Sequence, residues 1–596
     1  MSNTGDLKFD HVHVYADSIH SLHDYKALED KMNRFGAAIG GKSGLNDVAA
    51  ARAEWLKIEP NPADPSAYAS HNQDMVRQLI TGMNWRIIAH AHTTSTATVL
   101  VTSNDPRGAK FVVTGKLGGG SGSEAASKKT EDEPAHFSAA AVDRYYAQTK
   151  RPGIAVLAFE IGATNSIDAV AAAYCSKHPK LCASPSVLTF PGEAPGLSLF
   201  EVFAYYQSGT TEPDTGTILR FVQRRDCAAD SPLLPGLQSV PAQYCSLSVP
   251  AFSDHWVSNV VDRKQFLQTL EDTLGFTPKV DFNAGVVAAG EAIIESTVTG
   301  NTSAFVPVSK EQALPDQSQI YLPINNALST VGHVHGFLKE IGQGVQHIAS
   351  RVLDLVGLIS TSNRLRQITG EGFSFLKIPM SYYGFLSAER LARDTGVTLD
   401  IASVAVAALQ AASIVSSVGV VDIDSNANRV RAALAPTAAS AVADVLVPVI
   451  LRGRYSNIYK LIGDGLQEST YVDIVRNNIL VDLQGKDMLC QIFSSNVLQR
   501  APADEAPFLE FIQRICYEGN DSHGQPIPMR PGCGGFGIRN FLTLFLSIEV
   551  NKAMSDLLAA RAAANDAGNS NSRIAQIACL KPFEQVKTWP NGRSLV

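Results

Sequence analysis

A short strand-like motif occurs twice in this chain, and its repetition is the strongest constraint on the fold. Residues 9–15 read FDHVHVY and residues 252–260 read FSDHWVSNV, so each copy places Asp and His at the start of an alternating strand. Such alternation is typical of a half-buried β-strand. The copies lie about 240 residues apart, as expected when one large module is duplicated. The repeat therefore predicts an α+β chain built from two tandem βαβββ modules.

Linkers and changes in composition divide the chain into predicted domains. The segment 232–250 is rich in Pro and Ser and is expected to connect an N-terminal module, residues 1–240, to a C-terminal module, residues 250–565. A Gly/Ser-rich charged stretch at about 117–135 is expected to form a flexible loop. Residues 391–475 are rich in Ala and Val, and we interpret them as a helical insertion. Residues 566–596 form a C-terminal tail.

One uncharged stretch, Ile401–Val421, is long enough to cross a bilayer. It consists mainly of Ala, Val and Ser, and Ala and Ser contribute little to membrane insertion. We therefore favour an Ala-rich helix packed on the protein and keep a membrane span as the alternative.

Charge and sequence motifs narrow the class of function. The formal net charge is −7 and no large Lys/Arg cluster is present, so nucleic-acid binding is not expected. The N-terminus does not resemble a signal peptide. The eight cysteines contain no Cys-x-x-Cys pair and are typical of intracellular thiols. These features predict a cytoplasmic enzyme with a small-molecule substrate, and a cleaved organelle leader stays open as an alternative.

Two histidines and one glutamate in apolar, strand-like surroundings form a candidate metal site. His255 lies in the second motif copy, His347 follows a Gly-rich turn, and Glu510 lies in the apolar run FLEFI. A carboxylate buried among apolar residues is costly unless a cation or a partner compensates it. Two neutral imidazoles and one carboxylate are the ligands of non-haem iron(II) oxygenases, which keep open positions for substrate and O₂.

Ordinary structural roles compete with this interpretation. Each His could be a hydrogen-bonded core residue, and Glu510 could pair with the Arg four residues later. The pairs His11/His13 and His90/His92 are spaced to share one strand face and could form a site in the N-terminal module. Since no apolar-embedded carboxylate lies near them in sequence, we interpret these pairs as structural or vestigial.

Eight segments carry a specific family resemblance. They are DHWVSNV (254–260), IESTVTGN (294–301), YLPINN (321–326), GQGVQHIA (342–349), FSFLKIPMSYYG (373–384), LCQIF (489–493), FLEFIQR (508–514) and GCGGFGIRNF (532–541). In this order they resemble the 4-hydroxyphenylpyruvate dioxygenase family of the vicinal-oxygen-chelate fold group. The resemblance is strong over about 250–390 and 480–555 and weaker over 1–250, and it leaves out the helical insertion and the Gly/Ser loop.

The resemblance implies a barrel and a set of site residues. The second module is implied to be an open β-barrel that holds Fe(II) through His255, His347 and Glu510. A C-terminal helix from about Arg539 to Ala564 is implied to cap it. The implied catalytic positions are Gln346, Gln491, Asn540 and Phe541, and the implied substrate-binding positions are Ser296, Asn325, His333, Phe493, Phe508 and Phe536.

The implied reaction converts 4-hydroxyphenylpyruvate and O₂ to homogentisate and CO₂, a step of tyrosine catabolism. Phe541 matches homogentisate-forming members, whereas the branch that makes 4-hydroxymandelate has a smaller aliphatic residue there. His333 departs from the family, which often has Gln in the strand leading to GVQH, so another 2-oxo acid stays open as substrate. A catalytically silent binding protein is the third hypothesis. The resemblance also implies a homodimer.

Overall fold

The computed structural model divides the chain into two compact units, each formed by two segments. Unit 1 comprises Met1–Phe375 and Phe493–Gly535, and unit 2 comprises Leu376–Ile492 and Phe536–Val596. The structure describes residues 6–62, 74–117, 137–184, 186–227, 231–279, 285–289, 292–301, 310–495, 497–500, 504–520, 522–526, 532–537 and 539–549.

Within the described part of unit 1, nine strands form a first sheet. They are β1 (Leu7–Ala16), β2 (Arg86–His92), β3 (Thr96–Thr102), β4 (Lys110–Lys116), β5 (Gly153–Ile161), β6 (Leu188–Phe190), β7 (Ala194–Tyr206), β8 (Pro213–Arg224) and β9 (Gln238–Ser239). Their order is β6-β7-β8-β5-β1-β4-β3-β2-β9. At its centre, β1 runs parallel to β4 and antiparallel to β5, and β5 runs parallel to β8. The predicted Pro/Ser-rich linker contributes β9.

A second sheet surrounds the second motif copy. Its strands in unit 1 are β10 (Phe252–Asn259), β11 (Thr277–Pro278), β12 (Gly285–Ala289), β13 (Ala292–Gly300), β14 (Leu322–Ala327), β15 (Gly344–Arg351) and β18 (Phe508–Ile515). The central strand β10 runs parallel to β14 and antiparallel to β15, and β15 runs parallel to β18. The two motif strands therefore have the same kinds of neighbours, as a duplicated module would give them.

Both copies of the repeated motif are more buried than their alternation predicts. Every residue of β1 except Lys8 is buried, and all of β10 is buried. Phe9 and Phe159 of the first sheet pack against Trp256 of the second, with ring centroids 4.4 Å and 5.2 Å away. These rings cover one face of each motif strand, and apart from Lys8 the residues of the opposite face are buried as well.

Helices of unit 1 begin where short polar side chains cap them. Ser21, Asp47, Asp74 and Ser138 are among the residues whose side chains accept a backbone N–H in the first turn. The α-helices are Leu22–Ala38, Val48–Ile58, Met75–Met83, Ala139–Thr149, Ile167–Lys177, Arg263–Leu274, Lys310–Ala313, His333–Glu340 and Leu355–Thr369.

The segment around His333 is a helix, so the prediction of a strand leading into GVQH is wrong. Gly332 adopts φ 97°, and the helix His333–Glu340 starts directly after it. His333, Val334 and Phe337 are buried, which is the spacing of one helix face. The positive φ at the glycine turns the chain out of the preceding strand direction.

Unit 2 contains the predicted helical region. Its helices are Ala388–Thr395, Leu399–Ala411, Ala427–Leu434, Ala443–Arg452, Ser456–Ile462 and Glu468–Arg476. A hydrophobic core joins the first four of them and includes Leu391, Leu409 and Leu446. The hairpin of β16 (Leu480–Gln484) and β17 (Asp487–Phe493) follows. A last described helix covers residues 539–549.

The uncharged stretch 401–421 does not form one long helix. The helix ends at Ala411, and Val415 and Val421 then form an isolated β-bridge. Ala402 and Ala405 are buried in the core of unit 2, as expected for a packed Ala-rich helix. None of the described helices has the length and apolar run that a bilayer crossing requires.

One pair of cysteines contradicts the expectation of free thiols throughout. Cys516 and Cys533 form a disulfide, whereas the other described cysteines are not disulfide-bonded. The two residues are 17 apart in sequence, and only the fold brings their Cα atoms to 5.6 Å. The predicted Gly/Ser loop, the C-terminal helix beyond residue 549 and the tail 566–596 lie outside the described residues, except for Leu117.

Candidate metal centre

Three neighbouring strands place the predicted ligands on one face of the second sheet. His255 of β10 pairs with Ala349 of β15, which in turn pairs with Glu510 of β18. His347 precedes Ala349 by two residues and therefore points to the same side of the sheet. Strand register alone thus brings together residues that are far apart in sequence.

The three side chains converge on a single point. His255 Nε2 lies 3.0 Å from Glu510 Oε2, and His347 Nε2 lies 3.2 Å from the same oxygen. One ligand atom from each residue lies within 4.8 Å of the others, and all three residues are buried. In the part of the chain that the structure describes, no other cluster of three His, Cys, Asp or Glu side chains is this close.

An ion pair between Asp254 and Arg514 orients the ring of His255. Its Nδ1 donates to Asp254 Oδ2 over 2.8 Å. Arg514 donates two hydrogen bonds to the same carboxylate, from Nε over 2.8 Å and from Nη2 over 2.7 Å. Because Nδ1 is held in this way, the His255 Nε2 lone pair can point at a metal, as outer carboxylates arrange for ligating histidines.

Arg514 also secures the turn that follows β18. Its Nη1 donates to the backbone carbonyls of Cys533 over 2.9 Å and Gly535 over 2.7 Å. The Cys516–Cys533 disulfide ties the same turn to the end of β18. The Arg514 guanidinium forms an ion pair with Asp254, a partner that the sequence alternative of a Glu510–Arg514 pair did not include.

The pKa values describe a charge-balanced site. Burial would raise the pKa of Glu510, but the two imidazoles lower it to about 2. Burial would lower the pKa of His255, yet the Glu510 and Asp254 carboxylates raise it to about 9. For Asp254, attraction by Arg514 overcomes burial and holds the pKa well below its usual range. A positive charge on His255 thus balances Glu510, and a divalent cation would replace that proton.

The residues present fit iron(II). Two imidazole nitrogens and one carboxylate oxygen lie within 4.8 Å of one another, and two His with one carboxylate are the ligand set of non-haem iron(II) oxygenases. His347 Nδ1 donates to Gln346 Oε1 over 3.1 Å, so the second ring also has an orienting partner. Burial would be costly for Glu510 without such compensation.

Aromatic rings line one side of the centre. Phe508 stacks on the His347 ring, with centroids 4.7 Å apart and an interplanar angle of 20°. Phe493 approaches the same ring edge-on at 5.9 Å. Burial and, to a smaller degree, the charges of His255 and His333 lower the pKa of His347, against the opposing effect of Glu510. Phe493 and Phe508 thus lie beside the His347 ring, and the substrate-facing roles of Phe493, Phe508 and His333 stay predictions.

Two predicted polar positions form a pair on adjacent strands. Ser296 of β13 is opposite Asn325 of β14, and both are buried. Asn325 Nδ2 donates to Asn259 Oδ1 over 3.2 Å. Ser296 Oγ and Asn325 Oδ1 have no hydrogen-bond partner among the described residues. Buried polar atoms of this kind are expected to bind a ligand or water.

Four predicted residues lie in unit 2, and a hydrogen bond connects two of them, Asn540 and Gln491. Asn540 Nδ2 donates to Gln491 Oε1 over 2.8 Å, and the Asn540 backbone N–H donates to Asp482 Oδ2 over 3.0 Å. Asn540 and Gln491 are buried. Phe536 and Phe541 are half-buried. The structure therefore gives Asn540 a fixed position at the start of the helix that covers residues 539–549.

Sequence reasoning missed the supporting residues Asp254 and Arg514. A signal was available, since Asp precedes His in both motif copies and Arg follows Glu510 by four residues. The competing histidine pairs of the first sheet do not form a cluster of three metal-binding side chains within the described residues.

Comparison with known proteins identifies relatives of the chain. No protein-family model matches it. It is 26% identical over 337 residues to a protein named 4-hydroxyphenylpyruvate dioxygenase from Hordeum vulgare, which covers 56% of each chain. Over 97 residues it is 37% identical to a protein of the same name from Arabidopsis thaliana, covering 16% of this chain and 20% of the relative. The resemblance predicted from the eight segments is confirmed, although the chain spans little more than half the length of these relatives at most.

Solved structures give a weaker likeness. A variant of 4-hydroxymandelate synthase from Streptomyces coelicolor aligns with 91% of this chain and 98% of its own chain, at 14% identity and a TM-score of 0.45.

Proposed function

We propose that this chain, a homologue of the 4-hydroxyphenylpyruvate dioxygenases, is an iron(II)-dependent dioxygenase that converts 4-hydroxyphenylpyruvate and O₂ to homogentisate and CO₂. The observation that carries the proposal is the convergence of His255, His347 and Glu510 on one buried point. The relatives that the chain matches are dioxygenase enzymes by name. A catalytically silent relative would not need to retain all three ligands together with the ion pair that supports them.

Iron(II) held by His255, His347 and Glu510 would supply the open coordination positions at which a 2-oxo acid and O₂ are brought together. The residues around it have separate tasks. Asp254 and Arg514 keep His255 in the tautomer that can ligate. Phe493 and Phe508 provide an apolar wall that suits an aromatic ring and excludes water.

The polar residues are proposed to orient the substrate. Ser296 and Asn325 offer buried oxygen atoms without described partners, and Gln346 sits beside the His347 ligand. Gln491 and Asn540 form a hydrogen-bonded pair within unit 2, and the catalytic role proposed for them rests on the family resemblance. We further propose that the two sheets are tandem vicinal-oxygen-chelate modules and that only the second is catalytic.

Oxygen uptake tests the proposed reaction. Iron(II)-loaded protein is expected to consume O₂ when 4-hydroxyphenylpyruvate is added, and phenylpyruvate, which lacks the phenol, should be a poorer substrate. Zinc-loaded protein serves as the control, because zinc occupies such ligands but has no redox chemistry. Equal O₂ uptake with iron and with zinc would exclude the proposal.

Removing the metal is expected to destabilise the protein. Binding to the native state alone stabilises it by about 2.7 kcal/mol when free metal exceeds Kd a hundredfold. Anaerobic treatment with a chelator should therefore lower the melting temperature, and added iron(II) should restore it. The His347→Ala variant should show no metal-dependent change, and a full change in that variant would argue against the ligand assignment.

Phe541 is proposed to favour attack on the substrate ring. A Phe541→Ile substitution opens space at a half-buried position on the helix 539–549 and is expected to shift the product from homogentisate towards 4-hydroxymandelate. Chromatography with mass spectrometry measures the ratio. Leu542→Ile is the matched control, since the neighbouring Leu542 is exposed. An unchanged product ratio in the Phe541 variant would show that Phe541 does not direct attack to the substrate ring.

A further inference from the structure

The first sheet reproduces the framework of the metal centre residue by residue. Strand register joins His11 to Ala158 and Ala158 to Arg220, just as it joins His255 to Ala349 and Ala349 to Glu510. The motif strands carry bulges at matching places, on either side of the His and the residue two positions later. Arg220 therefore lies where the second sheet has Glu510.

The first sheet contains an ion pair between Asp10 and Arg224 that matches the ion pair between Asp254 and Arg514. His11 Nδ1 donates to Asp10 Oδ2 over 2.6 Å. Arg224 donates two hydrogen bonds to the Asp10 carboxylate, from Nη1 over 2.9 Å and from Nη2 over 3.1 Å. Arg224 follows Arg220 by four residues, as Arg514 follows Glu510. The first sheet thus keeps the Asp, His and Arg that hold a ligating imidazole in place.

The centre itself differs in two residues. His13 pairs with Val156, whereas the corresponding Val257 pairs with His347, so an apolar side chain replaces the second imidazole. Arg220 Nη1 donates to His11 Nε2 over 3.0 Å, which is the nitrogen that would otherwise bind a metal. Arg220 is 1% exposed, and its Nε donates to Glu201 Oε1 over 2.7 Å. A permanently charged guanidinium therefore fills the point on which the imidazole is aimed.

We infer that the first sheet contains a second copy of the metal centre, in which the Arg220 guanidinium replaces both the divalent cation and its carboxylate ligand. The matching point of the first sheet then holds no metal, and His11 and Glu201 contact an internal cation instead. Two substitutions, Val156→His and Arg220→Glu, should restore a site for a divalent cation such as iron(II) or cobalt(II). This inference rests on the proposed iron centre of the second sheet.

The test uses cobalt(II) as the probe in a chain whose native centre is disabled by His347→Ala. After desalting, bound cobalt is counted by mass spectrometry and its coordination is read from the visible absorption spectrum. His347→Ala alone is expected to retain almost no cobalt, whereas adding Val156→His and Arg220→Glu should restore about one ion per chain. A triple variant that folds but retains no cobalt would overturn the inference. Cobalt retained by His347→Ala alone would instead count against the native ligand assignment, so the two failures are distinct.

Two single variants keep the test decisive if the triple variant does not fold. Arg220→Lys retains a positive charge and should preserve most of the melting temperature. Arg220→Met has a similar length without charge, removes the cation that contacts Glu201 and His11, and should lower the melting temperature by several degrees more. Equal melting temperatures for the two variants would contradict the role of Arg220 as an internal cation.

Discussion

Replacing Glu510 by Gln is expected to abolish turnover and to weaken iron(II) binding by more than about a hundredfold, since losing even an outer support typically costs ten- to a hundredfold. The substitution keeps the shape of the side chain but removes the negative charge. Glu510 Oε2 contacts both histidine ligands, so we expect its negative charge to be essential for metal binding. Metal content after desalting and O₂ uptake at saturating iron measure the two effects.

A matched control separates this effect from a general loss of charge. Glu518 lies shortly after the same strand and is exposed, so Glu518→Gln should leave iron binding and O₂ uptake unchanged. Near-normal turnover of the Glu510 variant would mean that another group is the carboxylate ligand.

Replacing Asp254 by Asn is expected to weaken iron(II) affinity about ten- to a hundredfold while leaving the three ligands in place. The Asp254 carboxylate accepts hydrogen bonds from His255 Nδ1 and from Nε and Nη2 of Arg514. Asn cannot balance the buried Arg514 charge, and breaking a buried ion pair costs about 3–5 kcal/mol. Isothermal titration with iron(II) under anaerobic conditions measures the affinity, and thermal unfolding measures the stability.

The first sheet supplies the control for this experiment. Asp10 has the same partners as Asp254, namely the following His and an Arg that grips its carboxylate. Asp10→Asn should therefore lower stability by a comparable amount without changing iron affinity. Equal losses of iron affinity in both variants would show that the effect comes from destabilisation rather than from the orientation of His255.

The sequence was sufficient to predict the trio of proposed metal ligands. His255 and His347 occur in strand-like motifs, and Glu510 stands out because a charge in an apolar run needs compensation. The same sequence could not decide whether Glu510 pairs with Arg514. Residues four apart on a strand share a face, and only the register of β10 against β15 and β18 shows that Arg514 reaches Asp254 instead.

Features that depend on the path of the chain were harder to predict. The segment HVHGFLKE is too short for periodicity to distinguish a helix from a strand, and the turn at Gly332 decides it. The Cys516–Cys533 disulfide has no local motif, since the turn held by Arg514 brings the two residues together. The exchange of Glu510 for Arg220 between the two sheets becomes visible only when their registers are compared.

Product identification after anaerobic reconstitution with iron(II), followed by addition of 4-hydroxyphenylpyruvate and O₂, tests the proposed reaction most directly. We expect homogentisate, identified by mass and retention time, together with an equal amount of CO₂. Bound iron with neither O₂ consumption nor homogentisate would contradict the proposed reaction.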